Sequence, residues 1–281
     1  MMWKRLSTAT LLTIGGIFVI FIREFNGLPF FIVALFVALI IAFEINGLCE
    51  KNEYNLKLWL LSPTITLSFV SFYLYGLATY DTGYLFIIQL FLLSIYLLTS
   101  VFLESIKGNF EKSFENIAMQ LFVYVLLGIF CPLSGLMKMM DLSGWMVAVF
   151  LSIAFLTDTG GLLAGKLFGK HRVKFISSPN KTIEGFIGSF IFGSTTGIFL
   201  YLIQEVILFP VRFSFSTIVI LTISTIVSSI IGDLGESTIK RWAHSKDSSD
   251  LLPGHGGFFD RFDSVIFSVP VYFSIIKLLG Y

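Results

Sequence analysis

Apolar runs of about the length needed to cross a bilayer recur along this chain, separated by short polar segments. A membrane-spanning helix needs ~20 predominantly apolar residues in succession. Nine runs meet or approach that length, at 6–22, 28–48, 57–77, 84–104, 117–137, 143–165, 186–209, 213–233 and 264–280. The pattern predicts an all-α polytopic integral membrane protein with about nine transmembrane helices.

Composition supports this prediction and excludes an ordinary soluble domain. Hydrophobic residues make up 56% of the chain and charged residues only 13%, against about a quarter charged in soluble proteins. The formal net charge of +1 gives no reason to expect a nucleic-acid partner. Cys49 and Cys131 are far apart and lack the spacing of metal ligands.

The chain shows no internal repeat and no long linker, so residues 1–281 are predicted to form a single membrane domain. Within it we distinguish N-terminal transmembrane helices, 1–140, from catalytic transmembrane helices, 141–281. The second part carries two polar loops, 166–185 and 234–263. The fifth and sixth runs are separated by four residues, 138–141, which predicts a tight helical hairpin.

The distribution of lysine and arginine predicts the orientation in the membrane, because cytoplasmic loops carry an excess of these residues. With nine spans, 15 of the 19 lie on the N-terminal side. The four on the opposite side are Arg23, Lys138, Arg212 and Lys277. We therefore expect a cytoplasmic N-terminus, a C-terminus outside, and both polar loops on the cytoplasmic face.

The stretch 237–263 gathers charges of both signs among glycines. It holds four carboxylates, four permanent cations and two histidines: Asp247, Asp250, Asp260, Asp263, Lys240, Arg241, Lys246, Arg261, His244 and His255. Mg²⁺ is usually held by one or two carboxylates plus substrate phosphates, and Lys and Arg bind phosphate. Residues 253–257 can form a tight loop whose N–H groups approach an anion. These residues favour phosphate chemistry over the alternative of a solvated charged loop.

A second polar stretch follows the sixth apolar run. Asp158 lies late in that run, where a carboxylate is costly and usually functional, although pairing with a lysine or helix capping is the alternative. Residues 178–185 read Ser-Pro-Asn-Lys-Thr-Ile-Glu-Gly, in which Asn180 or Thr182 is a typical helix cap. A helix start offers free N–H groups to a phosphate, with Lys181 beside it.

Asp233 and Glu236 close the eighth run. They are three residues apart and share a helix face, with Lys240 one turn later. A surface ion pair between Glu236 and Lys240 is the structural alternative. Because Asp233 lies at the membrane edge, where ionisable groups are usually functional, we expect it in a site.

The stretch 237–263 resembles the signature of the CDP-diacylglycerol synthases, also called phosphatidate cytidylyltransferases. That pattern runs from Ser through Lys-Arg and Lys-Asp to Pro, His-Gly-Gly and Asp-Arg-hydrophobic-Asp. The matching positions are Ser237, Ile239, Lys240, Arg241, Lys246, Asp247, Ser249, Leu252, Pro253, His255, Gly256, Gly257, Asp260, Arg261, Phe262 and Asp263.

The same family carries Asp-Thr, Phe-Gly-Lys-His and Ser-Pro-Lys-Lys-Thr-x-Glu-Gly motifs, and this chain is similar at 158–159, 168–171 and 178–185. It departs at Asn180, where the family has Lys, and at 161–162, which read Gly-Leu instead of Ala-Tyr. The resemblance covers about residues 140–281, and the N-terminal half is similar only in consisting of apolar spans.

The resemblance implies CMP transfer from CTP to phosphatidic acid, giving CDP-diacylglycerol and pyrophosphate in phospholipid biosynthesis. It implies Mg²⁺ as cofactor and leaves a monovalent cation such as K⁺ open. It also implies a homodimer in a bacterial inner (plasma) membrane, with the active site facing the cytoplasm.

The resemblance also assigns roles to residues. Asp233 and Asp260 are expected to share a metal. The catalytic set is Asp233, Asp260, Lys240, Arg241, Asp263 and His255. The substrate-binding set is Lys181, Lys246, Asp247, Arg261, Asp158 and Glu184. Three roles stay open for His255: it orients a phosphate, donates a proton or shapes the loop. No general base is required, because the phosphatidate nucleophile is already an anion.

Two other functions are consistent with parts of this pattern. An ion-coupled transporter also has polar residues near helix ends, but here the charges concentrate on one face. Another CTP-dependent lipid-modifying enzyme, such as a polyprenol kinase, shares some loop features. The His-Gly-Gly and Asp-Arg-x-Asp run argues against it.

Overall fold

Long helices account for most of the structure, a computed structural model that describes residues 15–78, 82–106, 110–207, 209–252 and 256–281. Within these ranges no β-strand occurs, and extended pairing is limited to two isolated bridges, Arg172 with Thr182 and Leu252 with Gly256. The chain is an all-α polytopic membrane protein.

The helices follow one another with short connections. In chain order they are α1 (15–21), α2 (Leu28–Glu50), α3 (Leu58–Leu77), α4 (Thr82–Ile106), α5 (Ser113–Tyr124), α6 (Cys131–Met140), α7 (Trp145–Phe168), α8 (Ile183–Val206), α9 (Phe215–Trp242) and α10 (Phe259–Leu278). A 3₁₀ turn, Glu24–Gly27, precedes α2, and a π-helical segment, Val125–Phe130, joins α5 to α6.

Seven helical segments among the described residues are long and apolar enough to cross a membrane. They are Glu24–Glu50, Leu58–Leu77, Gly83–Ile106, Ser113–Met140, Trp145–Phe168, Ile183–Gln204 and Phe215–Trp242. Helix α10 is not among them, because Asp260, Arg261 and Asp263 occupy its first turns and Lys277 its last. The first predicted span, 6–22, lies mostly outside the described residues, which begin at 15.

Two helices extend into the stretches predicted as loops. Helix α9 continues beyond the apolar run to Trp242, and α10 begins at Phe259 rather than near 264. The connection between them is therefore 243–258. The connection between α7 and α8 is likewise shorter than the predicted loop 166–185 and comprises residues 169–182. Five charged residues of the signature thus lie on two helix ends, namely Lys240, Arg241, Asp260, Arg261 and Asp263, while Lys246 and Asp247 remain in the connection.

Helices α7 and α8 approach so closely that glycine is required between them. A Cβ on Gly188 would overlap the Ala164 side chain and lie 2.6 Å from the Gly160 carbonyl oxygen. A Cβ on Gly160 would lie 2.6 Å from the Phe192 ring. The close contact explains why residue 161 is also glycine, since a Cβ there would overlap the Ser189 hydroxyl.

Two hydrophobic cores meet at α10. The first contains buried side chains of α2 to α6 together with Phe259 and Ile266. The second contains buried side chains of α6, α7 and α9 together with Val265, Val269 and others of α10. One helix near the end of the chain therefore packs against both the N-terminal and the C-terminal helices.

The predicted tight hairpin between the fifth and sixth runs is confirmed. Helix α6 ends at Met140 and α7 begins at Trp145. The carboxylate of Asp141 accepts hydrogen bonds from the backbone N–H groups of Ser143 and Met146, both at 3.0 Å. The bond from Met146 supplies an acceptor that the first turn of α7 would otherwise lack, and the bond from Ser143 fixes the turn before it.

Gly188→Ala tests the α7–α8 contact. Overpacking typically costs 1–3 kcal/mol, so we expect a lower thermal unfolding temperature in detergent. Gly47→Ala is the matched control, because Gly47 is also helical and its Cβ would meet nothing within 4 Å. Equal unfolding temperatures for the two variants would contradict the close packing.

Candidate active site

Seven ionisable side chains from three helices and one connection meet at one end of the bundle. Asp158 comes from α7, Lys181 from the connection after it, and the others from α9 and α10: Asp233, Glu236, Lys240, Asp260 and Asp263. All except Glu236 belong to the predicted catalytic and substrate-binding sets. The structure therefore brings the two polar stretches of the sequence into one site.

Three carboxyl groups form the part of this site best suited to a metal ion. Asp233, Glu236 and Asp263 each offer an oxygen, and these oxygens lie within 4.8 Å of one another. Asp158 lies near them: it interacts electrostatically with Asp233 and Asp263 and accepts a 2.5 Å hydrogen bond from the Ser264 hydroxyl. An all-oxygen donor set of this kind fits a hard divalent cation such as Mg²⁺.

Lys181 forms an ion pair with Asp233, joining the α7–α8 connection to helix α9. The lysine side chain is 20% exposed and the aspartate 36%, so the pair faces an opening rather than solvent on all sides. Its ammonium group thus already lies beside the carboxyl cluster. A phosphate near that cluster would have Lys181 within reach.

Lys240 lies between two carboxyl groups. Its ammonium nitrogen is 2.7 Å from an oxygen of Glu236 and 2.7 Å from Oδ1 of Asp260. The pairing of Glu236 with Lys240 considered from sequence is therefore present, but not as a surface pair, because the Glu236 side chain is only 1% exposed. Lys240 links the metal-suited cluster to Asp260.

The carboxylate of Asp260 is held by several donors. Its Oδ2 accepts hydrogen bonds from the N–H and hydroxyl of Ser248, at 2.8 and 2.7 Å, and from the N–H of Gly257 at 2.8 Å. Burial opposes ionisation of Asp260, but its hydrogen bonds with Glu236, Lys240, Gly257 and Ser248 outweigh burial and hold its pKa well below the usual range. Asp260 is thus a fixed negative charge at the start of α10.

Glycine is needed where the backbone passes Asp260. Gly256 has φ +77, and a Cβ there would lie 2.7 Å from Oδ2 of Asp260. The two glycines of the signature that the structure describes, Gly256 and Gly257, therefore let the chain pass close to this carboxylate. Pro253, Gly254 and His255 lie outside the described residues.

The connection 169–182 is closed by local hydrogen bonds that place Lys181. The N–H of Val173 donates to the Lys181 carbonyl at 2.8 Å, and Thr182 caps α8 by accepting from the Gly185 N–H at 3.1 Å. Thr182 is one of the two predicted caps, and this prediction is confirmed. Arg241 Nε donates to the Ser177 carbonyl at 3.3 Å, which ties the connection to the end of α9.

The remaining predicted residues lie at the edge of the cluster or on the surface. Glu184 contacts His171 Nδ1 at 2.6 Å and so closes the α7–α8 connection. Lys246, Asp247 and Arg261 are exposed. Their predicted role in binding substrate stays a prediction, as does the predicted catalytic role of His255.

Three contributors to the site were not recognised from sequence: Glu44, Ser248 and Ser264. Glu44 contacts the signature segment from α2, although it precedes that segment by more than 200 residues. A signal was present, because a carboxylic acid inside an apolar run is costly. The two serines gave no such signal, since serine is common throughout these helices.

Comparison with known proteins identifies the family of this chain. A model of the cytidylyltransferase family matches residues 3–279, and the chain belongs to that family. A phosphatidate cytidylyltransferase from Staphylococcus aureus (strain COL) is 46% identical over 122 residues, covering 42% of this chain and 44% of that protein. One from Staphylococcus haemolyticus is 46% identical over 122 residues, and one from Staphylococcus saprophyticus 41% over 121, with the same shares covered. The similarity thus spans less than half the length of these relatives.

Lys240→Met tests the central position of Lys240. Removing one partner of a buried ion pair typically costs 3–5 kcal/mol, because the other charge is left uncompensated. We expect a clear loss of thermal stability in detergent, partly restored by adding Glu236→Gln. The exposed Lys246→Met is the control and should change stability by no more than about 0.5 kcal/mol. A Lys240→Met variant as stable as the control would show that Lys240 does not balance the two carboxyl groups.

Proposed function

We propose that this chain is a phosphatidate cytidylyltransferase, which transfers CMP from CTP to phosphatidic acid in phospholipid biosynthesis. Membership of the cytidylyltransferase family supports the class of reaction. The names of the staphylococcal relatives support the lipid substrate. The observation that carries the proposal is the joining of Lys181, Asp233, Lys240 and Asp260 in one site at a helix-bundle end.

The proposed reaction is an in-line displacement at the α-phosphorus of CTP. An anionic phosphate oxygen of phosphatidic acid forms the new P–O bond, and the bond from the α-phosphorus to the oxygen bridging the β-phosphorus breaks, releasing pyrophosphate. Because the nucleophile is already an anion, no side chain has to remove a proton. The protein's contribution is to position the phosphates and balance their charge.

Each basic residue of the site has a place in this scheme. Lys181 lies beside the carboxyl cluster and can bind a phosphate oxygen as a point charge. Lys240 keeps Glu236 and Asp260 in fixed positions. Arg241 fixes the α7–α8 connection through Ser177, which keeps Lys181 at the cluster.

We further propose that Asp233, Glu236 and Asp263 hold Mg²⁺, with Asp260 beside them. The grouping of these three carboxyl groups supports this assignment, and Glu236 is added to the pair expected from sequence. Bound Mg²⁺ supplies neutralisation of the negative charge that develops on the pyrophosphate leaving group. Two further points stay predictions: that Asp233 and Asp260 bind one metal together, and that the protein also uses a monovalent cation such as K⁺.

The proposal includes nine spans, with the cytoplasmic face carrying the site, in a bacterial inner membrane. The concentration of lysine and arginine on one side supports the orientation. The bacterial origin of the relatives supports the choice of membrane. In this scheme α10 is the ninth span, with its polar first turns at the membrane surface. A homodimer, implied by family resemblance, remains a prediction.

The assay for this function uses purified protein in detergent, phosphatidic acid, Mg²⁺ and CTP labelled at the α-phosphorus. We expect label in the lipid product. Asp233→Asn and Asp260→Asn should each lower transfer by roughly a thousandfold, since several kcal/mol of charge balance is lost. If both residues serve one metal, the double variant should be little worse than either alone.

Asp250→Asn is the matched control for these variants, because Asp250 is an exposed aspartate of the connection between α9 and α10 and should keep near-normal activity. Lipid label only from CTP labelled at the γ-phosphorus would identify a lipid kinase and overturn the proposal. Near-normal transfer by Asp233→Asn at saturating Mg²⁺ would exclude it as a metal ligand.

Cysteine labelling tests the orientation. In a background with Cys49 and Cys131 replaced, Asp250→Cys should react with a membrane-impermeant thiol reagent only after the cytoplasmic face is opened. Leu278→Cys, at the other end of α10 and 85% exposed, should react from outside. Reaction of both from the same side would contradict the nine-span arrangement.

A further inference from the structure

Glu44 lies in α2, far from the site in sequence, yet contacts the segment that carries Asp260. Its side chain is buried, with the residue 2% exposed. Oε1 accepts hydrogen bonds from the Ser249 hydroxyl at 2.6 Å and the Phe258 N–H at 2.9 Å. Oε2 accepts from the Phe259 N–H at 2.8 Å and lies 3.2 Å from the Ser248 hydroxyl. A single carboxyl group thus meets four donors of the α9–α10 connection and the start of α10.

These contacts replace the cap that α10 lacks. The first N–H groups of a helix have no partner within it and need an external acceptor. Phe258 occupies the cap position and its side chain accepts no hydrogen bond. Glu44 supplies the acceptor for both Phe258 and Phe259. The start of α10 is therefore held by α2 at Phe258 and Phe259, in addition to the bond from the Gly257 N–H to Asp260.

Gly257 makes this approach possible. A Cβ at that position would lie 2.5 and 2.6 Å from the two Glu44 oxygens and would overlap the Ser248 hydroxyl. The N–H of the same residue donates to Oδ2 of Asp260. Glu44 and Asp260 therefore contact the same short stretch of backbone, and Ser248 contacts both carboxyl groups.

We propose that Glu44 is a positioning residue for the transfer reaction, which fixes Asp260 by holding Ser248, Ser249 and the first turn of α10. This inference rests on the proposed function for its kinetic part. Glu44 acts through the backbone and through Ser248 rather than on substrate. A purely structural role would instead affect the stability of the whole bundle.

Glu44→Gln is the test, since it keeps the size of the side chain but turns one acceptor into a donor facing other donors. Buried donors without acceptors are costly. We expect kcat for CMP transfer to fall by about tenfold or more, with the KM for CTP changed by less than about threefold. Amide hydrogen exchange at 256–259 should accelerate by about tenfold while α7 and α8 stay protected.

Glu50→Gln is the matched control, because Glu50 lies in the same helix, is exposed and contacts Asn46 instead of the signature segment. Glu50→Gln should leave both kcat for CMP transfer and amide exchange at 256–259 unchanged. A Glu44→Gln variant with kcat within about twofold of the parent, or with slow exchange at 256–259, would overturn the proposal. Exchange that accelerates equally in all helices would overturn it as well, in favour of a general structural role.

Ser249→Ala keeps the proposal testable if Glu44→Gln does not fold. It removes one donor to Oε1 and, on the exposed side, the acceptor of the Leu251 N–H, while Glu44 keeps its charge and its bonds to Phe258 and Phe259. We therefore expect the same local exchange effect at a smaller size, about threefold. No local change at 256–259 would contradict the proposal. If the parent protein shows no CMP transfer, the proposed function fails, while the exchange measurements still decide whether Glu44 holds the start of α10.

Discussion

Charge balance among carboxyl groups at the end of an apolar bundle is the constraint on which the rest of the site depends. Burying a charge is costly unless it is paired and hydrogen-bonded. Here two lysines pair with three of the five carboxyl groups: Lys181 with Asp233, and Lys240 with Glu236 and Asp260. Because carboxyl groups outnumber lysines here, a cation fits among Asp233, Glu236 and Asp263, whose oxygens lie close together. One arrangement thus supports both the fold and the proposed chemistry.

Helix packing brings these charges together. The glycine contacts between α7 and α8 keep the two helices close, and the short hydrogen-bonded connection between them presents Lys181 to α9. Helix α10 belongs to both hydrophobic cores, so Asp260 and Asp263 are held by packing on two sides. Rigid helix ends are better supports for a site than a long loop.

Much of this arrangement was predictable from sequence. Runs of apolar residues indicated the helices from 28 onward, and the charged motifs indicated the site, because both follow from local composition. Helix ends were less predictable: α9 continues to Trp242 because Glu236 and Lys240 find partners inside the protein. For Glu236 the sequence left a surface ion pair with Lys240 open as an alternative, since a sequence shows spacing along a helix but not which neighbouring helix covers it. The position of Glu44 inside an apolar run marks it as unusual, but its contact with Phe258 depends on tertiary packing and cannot be read from local sequence.

The contact between α2 and the start of α10 also constrains how the protein is made. The partners are separated by 204 to 215 residues, and membrane helices enter the bilayer in the order in which they are synthesised. Glu44 is therefore inserted while its backbone partners do not yet exist, and its carboxyl group must stay hydrated or find temporary partners until α10 arrives. Contacts between residues so far apart in sequence form late in folding, because the entropic cost of closing the intervening chain must be met first. The site is completed only once α10 has been translated, so a chain synthesised as far as α9 lacks the arrangement around Asp260.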